Sequence, residues 1–176
     1  MRVAVTGTPG TGKTTATELV DAEADGDADA VAAVVHLNEV IREEGFHEGE
    51  DPERGSLVAD LDALADWLEG RDDVLVESHL AHHFDADRVV VLRCEPEHLE
   101  RRLRERGESA EKARENAESE ALDVVLSEAV TEHGTDSVYE IDTTDRDPEA
   151  VAADIEAVIR GERAPSAGEV DFLDYL

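Results

Sequence analysis

Val3-Ala4-Val5-Thr6-Gly7-Thr8-Pro9-Gly10-Thr11-Gly12-Lys13-Thr14 is the stretch that decides the fold. Its first residues are an apolar, partly β-branched run, which predicts a short buried strand. A Gly/Thr/Pro cluster then stops the run, and Thr14 to Ala24 reads as a helix. Gly7 to Thr14 matches the pattern G-x-x-x-x-G-K-[ST] in full, between a predicted strand and a predicted helix, which is the context a phosphate-cradling loop requires. Glycines let consecutive backbone N–H groups turn inward around phosphate oxygens, and the helix that follows presents its positive end to the same anion. In such a loop Lys13 reaches the β- and γ-phosphates of ATP and the Thr14 hydroxyl ligates magnesium. Lys13 is one of only two lysines in the chain, with Lys112.

Outward from the loop, strand and helix signals alternate. Ala30 to Leu37 is apolar and β-branched, and Asn38 is placed to cap a polar helix over Asn38 to Glu44. Gly45 to Gly55 is glycine-rich and charged; Leu57, Leu61, Leu64, Ala65 and Leu68 then recur at helical spacing up to Gly70. Strands are predicted at Val74 to Val76, Val89 to Leu92 and Val138 to Ile141, with a charged helix from Pro96 to Gly107, a helical stretch from Ser109 to His133 and a closing helix from Pro148 to Ile159. Five strands alternating with helices predict an α/β fold of the P-loop NTPase type: a five-stranded parallel sheet covered by helices on both faces. The chain is read as a single kinase domain over residues 1–161, with a monophosphate-binding segment at about 36–56 and a lid at about 105–116. A tail follows over 162–176. Its apolar positions, Val170, Phe172, Leu173, Tyr175 and Leu176, predict docking on the domain itself or on a partner.

The 176 residues carry a formal net charge of −30, with acidic residues spread along the whole length. Self-repulsion on that scale opposes folding unless salt screens it, and at 1 M ionic strength the Debye length is about 3 Å. A salt-rich cytoplasm, as in a halophile, is therefore expected. The same charge argues against tight, direct nucleic-acid binding, which rests on basic contacts to phosphate. The lone Cys94 reads as a small buried apolar residue in a reducing compartment. Neither a signal segment nor an apolar stretch of spanning length is seen, so a cytoplasmic location without membrane attachment is expected.

Four further groups of residues carry chemistry. Val74-Leu75-Val76-Glu77 is an apolar strand ending in a carboxylate, which in a parallel sheet lies at the edge next to the phosphate loop; Glu77 is the candidate magnesium holder. His79, two residues on, is placed to orient a water or the transferred phosphate, or else to serve a structural hydrogen bond. His82 and His83 are read as non-metal, because adjacent histidines project apart and no carboxylate or cysteine sits at ligand spacing. Arg101, Arg102, Arg104 and Arg106 alternate with glutamates, as on a solvated helix, but Gly107 follows Arg106 and opens a segment able to close over ATP. Arg42 lies where a loop grips a second phosphate-bearing substrate, or where a surface pair with Glu39 or Glu43 forms.

Taken in order, the loop Thr6 to Thr15, the segment Ile41-Arg42-Glu43-Glu44, the strand end Val76-Glu77-Ser78-His79 and the run Leu103-Arg104-Glu105-Arg106-Gly107 with Lys112 make the chain resemble, from about Arg2 to Gly161, the archaeal and eukaryotic adenylate kinase isoenzyme 6 family. The resemblance implies that Gly10, Gly12, Lys13, Thr14 and Thr15 bind ATP, that Arg42 lies in the monophosphate segment and that Arg106 binds ATP from the lid. Two departures stand out: Glu77 replaces the family's usual aspartate, and Glu108 stands where an aromatic often follows the lid Arg-Gly. The expected activity is ATP + AMP = 2 ADP in a monomer, with magnesium as cofactor, Lys13, His79 and Arg106 as catalytic residues, and ATPase activity alongside. The resemblance also implies a role in small ribosomal subunit and 16S-type ribosomal RNA maturation through a basic ribosomal protein. An ATP-driven assembly factor is thus the rival reading.

Overall fold

Val3, Ala4, Val5 and Thr6 are all buried, as befits the central strand of a sheet covered on both faces. The computed structural model describes residues 1–20, 31, 33–52 and 55–176. In chain order these form β1 (Val3–Thr6), α1 (Lys13–Glu18), β2 (Ala33–His36), α2 (Leu37–Glu44), β3 (His47–Asp51), β4 (Ser56–Ala59) and α3 (Leu61–Leu68). There follow β5 (Val74–Glu77), β6 (Arg88–Arg93), α4 (Pro96–Glu105), α5 (Ala110–Ala121), α6 (Val124–His133), β7 (Val138–Asp142) and α7 (Pro148–Ile159). Five strands make one parallel sheet in the order β2-β5-β1-β6-β7. The fold is thus the expected doubly wound α/β sheet.

Alternate side chains of each strand feed two cores. Val3, Val5, Leu75, Val90, Leu92 and Ile141 pack under α1 and α7 with Ala16, Ile155 and Val158. Their neighbours Ala4, Val76, Val89, Val91 and Val138 pack on the opposite face with Leu37, Ile41, Leu64, Leu68, Leu126 and Ala129. Register brings the functional strand ends together: Glu77 lies opposite Val5 of β1 on one side and His36 of β2 on the other.

Four local expectations are corrected. Asn38 does not cap α2; His36 holds that position, and the Asn38 side chain instead accepts a hydrogen bond from Ser78 Oγ at 3.3 Å. Leu57 belongs to β4, not to the helix, because the side chain of Asp60 accepts from the Ala63 N–H and starts α3 at Leu61. The charged Gly45–Gly55 stretch contributes β3 of an antiparallel hairpin with β4. The single helix read over Ser109 to His133 breaks at Asp123, whose φ of +55° is left-handed. Residues 21–24 of the helix expected after the loop, and Ala30 and Ala32 of the second strand, lie outside the described residues.

One buried cation ties distant elements together. Arg93, at the end of β6, is 1% exposed and pairs with Glu120 on α5, with Glu140 on β7 and with Asp123 between α5 and α6. The tail engages the same group: Glu140 Oε2 accepts from the backbone N–H of Glu169 and Val170, the Phe172 ring lies 5.5 Å from the Arg93 guanidinium carbon, and Ser166 donates its N–H to the Val138 carbonyl at 3.0 Å. Cys94 is fully buried with Leu99, Leu103 and Ala113, and burial raises its thiol pKa.

Candidate active site

Between β1 and α1 the loop folds back over the sheet edge, and two of its glycines are obligatory. Gly7 has φ +144°, and a Cβ there would lie 2.5 Å from the Leu92 carbonyl oxygen; at Gly10, φ +92°, a Cβ would meet Leu99 Cδ1 at 2.9 Å. Lys13 lies inside the loop and donates from Nζ to the Gly7 and Thr8 carbonyls at 2.8 and 3.1 Å. Burial lowers its pKa to about 8, while Glu77 and Glu120 oppose that shift. Two ties hold the loop's shape. The Thr8 hydroxyl donates to the buried carboxylate of Glu120, and the Thr143 hydroxyl, after β7, donates to the Thr11 carbonyl at 3.1 Å.

Glu77 reaches the loop from β5. Its Oε2 lies 3.4 Å from the Thr14 hydroxyl and 2.8 Å from His36 Nδ1. A threonine hydroxyl beside a carboxylate is the hard oxygen set that magnesium takes when it arrives with nucleotide phosphates, so the donor chemistry of Thr14 and Glu77 fits that ion. The longer glutamate reaches Thr14 from the strand end.

Three clefts surround this edge. One of about 280 Å³ is lined by Gly10, Thr15, Arg102, Arg106, Thr143 and Arg146 among others. A second, about 200 Å³, lies over Gly12, Lys13, Thr14, Thr15 and Glu77 and is also lined by Arg106. A third, about 370 Å³, is formed by Arg42 and Ile41 of α2, by Ser56, Leu57 and Ala59 of the hairpin strand, and by Leu80. His79 and Asn38 line both the second and the third, so they stand at the junction of the two. Although the His79 side chain is exposed on one side, the surrounding walls, with Lys13, push its pKa down to about 4, and the ring is neutral at physiological pH.

The expected residues Gly10, Gly12, Lys13, Thr14, Thr15, Glu77, His79 and Arg106 therefore converge on one edge of the sheet, with Arg42 across His79 from the loop. Arg106 follows α4 directly, and Ser109 caps α5 three residues later, its Oγ accepting from the Lys112 N–H at 3.2 Å. Among the described residues neither the Arg42 nor the Arg106 guanidinium makes an ion pair or hydrogen bond. Of the other α4 arginines, Arg104 pairs with Glu100 and Arg102 reaches the Thr143 carbonyl, while Arg101 is exposed on the outer face, away from the loop, between Glu97 and Glu105. Sequence reading missed Thr8, His36, Thr143 and Arg146, and named Arg102 only within the arginine group of α4. The polar residue within the second strand run, six residues before Arg42, was a signal for His36; the others depend on long-range packing. His82 and His83 also differ from expectation, since their rings lie 4.1 Å apart rather than projecting apart.

A parallel sheet with this loop, this carboxylate and paired clefts defines a P-loop kinase. Solved structures agree on the fold: a shikimate kinase from Bacteroides thetaiotaomicron superposes with a TM-score of 0.57 at 18% identity, covering 91% of this chain and 98% of its own. A gluconokinase from Sinorhizobium meliloti gives 0.54 at 15% identity, covering 92% of each chain. The AAA domain family matches residues 3–123. Two haloarchaeal relatives, each named "Putative adenylate kinase", align over the full length of both chains, at 68% identity in Natronomonas pharaonis and 60% in Halobacterium salinarum. One of the same name in Methanothermobacter thermautotrophicus is 41% identical over 99% of this chain and 98% of its own. The chain belongs to this adenylate kinase family of P-loop nucleotide kinases. Among the described residues no helix is long and apolar enough to cross a membrane.

Proposed function

We propose that the protein is an adenylate kinase of the isoenzyme 6 type, passing the γ-phosphoryl group of ATP to AMP. The observation that carries this reading is the pair of unpartnered arginines, one in each cleft, on either side of His79. In a chain of charge −30, a guanidinium left without a carboxylate in a concave site is kept for an anion from outside. Gly10, Gly12 and Thr15 would hold the donor phosphates through the loop, Lys13 would leave its two carbonyls for the β- and γ-oxygens, and Arg106 would face the same group from the lid segment, 105–116. Arg42 would hold the acceptor phosphate. Neutral His79 can hydrogen-bond the group in transit without adding charge. Thr14 and Glu77 would hold magnesium, which supplies charge neutralisation at the phosphates when bound. Catalysis in this arrangement is positioning and electrostatic stabilisation. Its setting would be a cytoplasm of high salt, with the protein working as a monomer.

A second reading, an ATPase that assists small ribosomal subunit maturation, draws on the acidic surface, which suits a basic ribosomal protein. One assay separates the two: ADP formation in molar potassium chloride with magnesium and ATP, following AMP consumption and phosphate release separately. The kinase reading expects AMP to disappear in step with ATP, without free phosphate. Phosphate release at one rate with or without AMP would establish the ATPase reading instead.

A further inference from the structure

The turn after β5 assembles a group of side chains that phosphoryl transfer does not use. Ala81–His83 is a single 3₁₀ turn, and α6 packs against it. His82 is 1% exposed, with Nε2 3.0 Å from Glu128 Oε2 on α6. His83 lies beside it, and one ligand atom each from His82, His83 and Glu128 fall within 4.8 Å of one another.

We infer that His82, His83 and Glu128 form a three-ligand site for a zinc-class divalent cation.

The hydrogen bonds around the rings support it. Thr6 Oγ1 lies 2.8 Å from His82 Nδ1 and also donates to the His79 carbonyl at 3.3 Å. A hydroxyl has one proton. Given to His79, it obliges His82 to donate from Nδ1, which leaves the Nε2 lone pair aimed at Glu128 with nothing between two acceptors. In the other tautomer a proton on Nε2 bridges to Glu128, and it is this proton that a metal ion replaces. His83 carries Glu132 Oε1 at 2.7 Å on Nδ1. Each imidazole is thus held by an oxygen on Nδ1, the outer-shell arrangement that orients a ring and strengthens it as a ligand, and His82 turns its Nε2 to Glu128. The chemistry selects the ion class: two imidazoles and one carboxylate suit zinc, cobalt or nickel, whereas magnesium and calcium take oxygen ligands. Glu128 is about half exposed and His83 about one quarter, so the site opens to solvent for entry and for a fourth, water ligand. A bound ion would fasten α6 to Thr6, the residue that precedes the phosphate loop.

The test is a titration of the full-length, magnesium-free and nucleotide-free protein with Co²⁺ in buffered molar potassium chloride, read by visible d–d absorption. One equivalent should bind with the intense bands of low coordination, and Zn²⁺ should displace it. His83→Asn and Glu128→Gln, both at partly exposed positions, should each weaken binding by at least about tenfold. Because His36 beside Glu77 is another imidazole–carboxylate pair, His36→Asn is the control and should leave the bands unchanged. Wild-type-like binding in the His83 and Glu128 variants, or loss of the bands in His36→Asn, would overturn the assignment. So would a wild-type protein that takes up no cobalt, which would leave His82 and Glu128 as a proton-bridged pair.

Discussion

Arg93, closed inside the fold, and Arg42 and Arg106, lining the clefts, carry the same charge in opposite settings. Around Arg93 three carboxylates and a phenylalanine ring close the guanidinium off from water. Arg42 and Arg106 line open clefts, and neither guanidinium pairs with a carboxylate among the described residues. In the first setting the charge is committed to the fold; in the second it is free for a ligand. Buried pairs are costly to break on one side, because the abandoned carboxylates stay buried. Cleft arginines have no such debt, so their loss touches binding before it touches stability.

This contrast can be broken in four ways. Arg93→Ala should destabilise the protein by about 3–5 kcal/mol, seen as a large fall in Tm at constant salt; a fall no greater than that of a surface arginine would show that the cluster does not hold the sheet to α5. Lys13→Ala should lower kcat for ADP formation by roughly 10²–10³-fold with Tm little changed. Arg42→Ala should raise KM for AMP by about 10- to 100-fold, as for a lost charged hydrogen bond, while ATP binding is spared. Equal loss for both nucleotides would mean that Arg42 does not belong to the acceptor side. The smallest effect is expected at Asp60→Ala, about 1 kcal/mol of helix-cap energy measured by chemical denaturation, with both KM values unchanged.

How much of this was legible in the sequence follows the range of each interaction. The phosphate loop is local and needs particular residues at particular places, so Gly7 to Thr14 and the strand before it could be read directly. The five sheet strands were legible because parallel strands buried on both faces are continuous apolar runs. The hairpin was hidden for the opposite reason: His47–Asp51 is acidic and has no β-branched residue, and Leu57 stands four residues before Leu61, which imitates a helix face. Asp60 was the available signal for where that helix begins. In the site, Arg42, Glu77 and His79 could be named from their distance after strands. Partners such as Glu120 for Thr8, or α6 for His82 and His83, come from elements far away in the chain and no spacing announces them.

The tail's hydrogen bonds to β7 have a bearing on solubility as well as on packing. β7 is the last strand of the sheet, and its outer side would otherwise offer unpaired N–H and C=O groups to any extended chain nearby. Ser166 occupies that side, donating its N–H to Val138 and accepting the Glu140 N–H on Oγ at 3.0 Å. At high salt, where charge repulsion between molecules is screened, an uncovered strand edge would meet its own copies without hindrance. Ser166 and Arg163 therefore keep that edge of β7 covered whether or not surface charge holds copies of the chain apart.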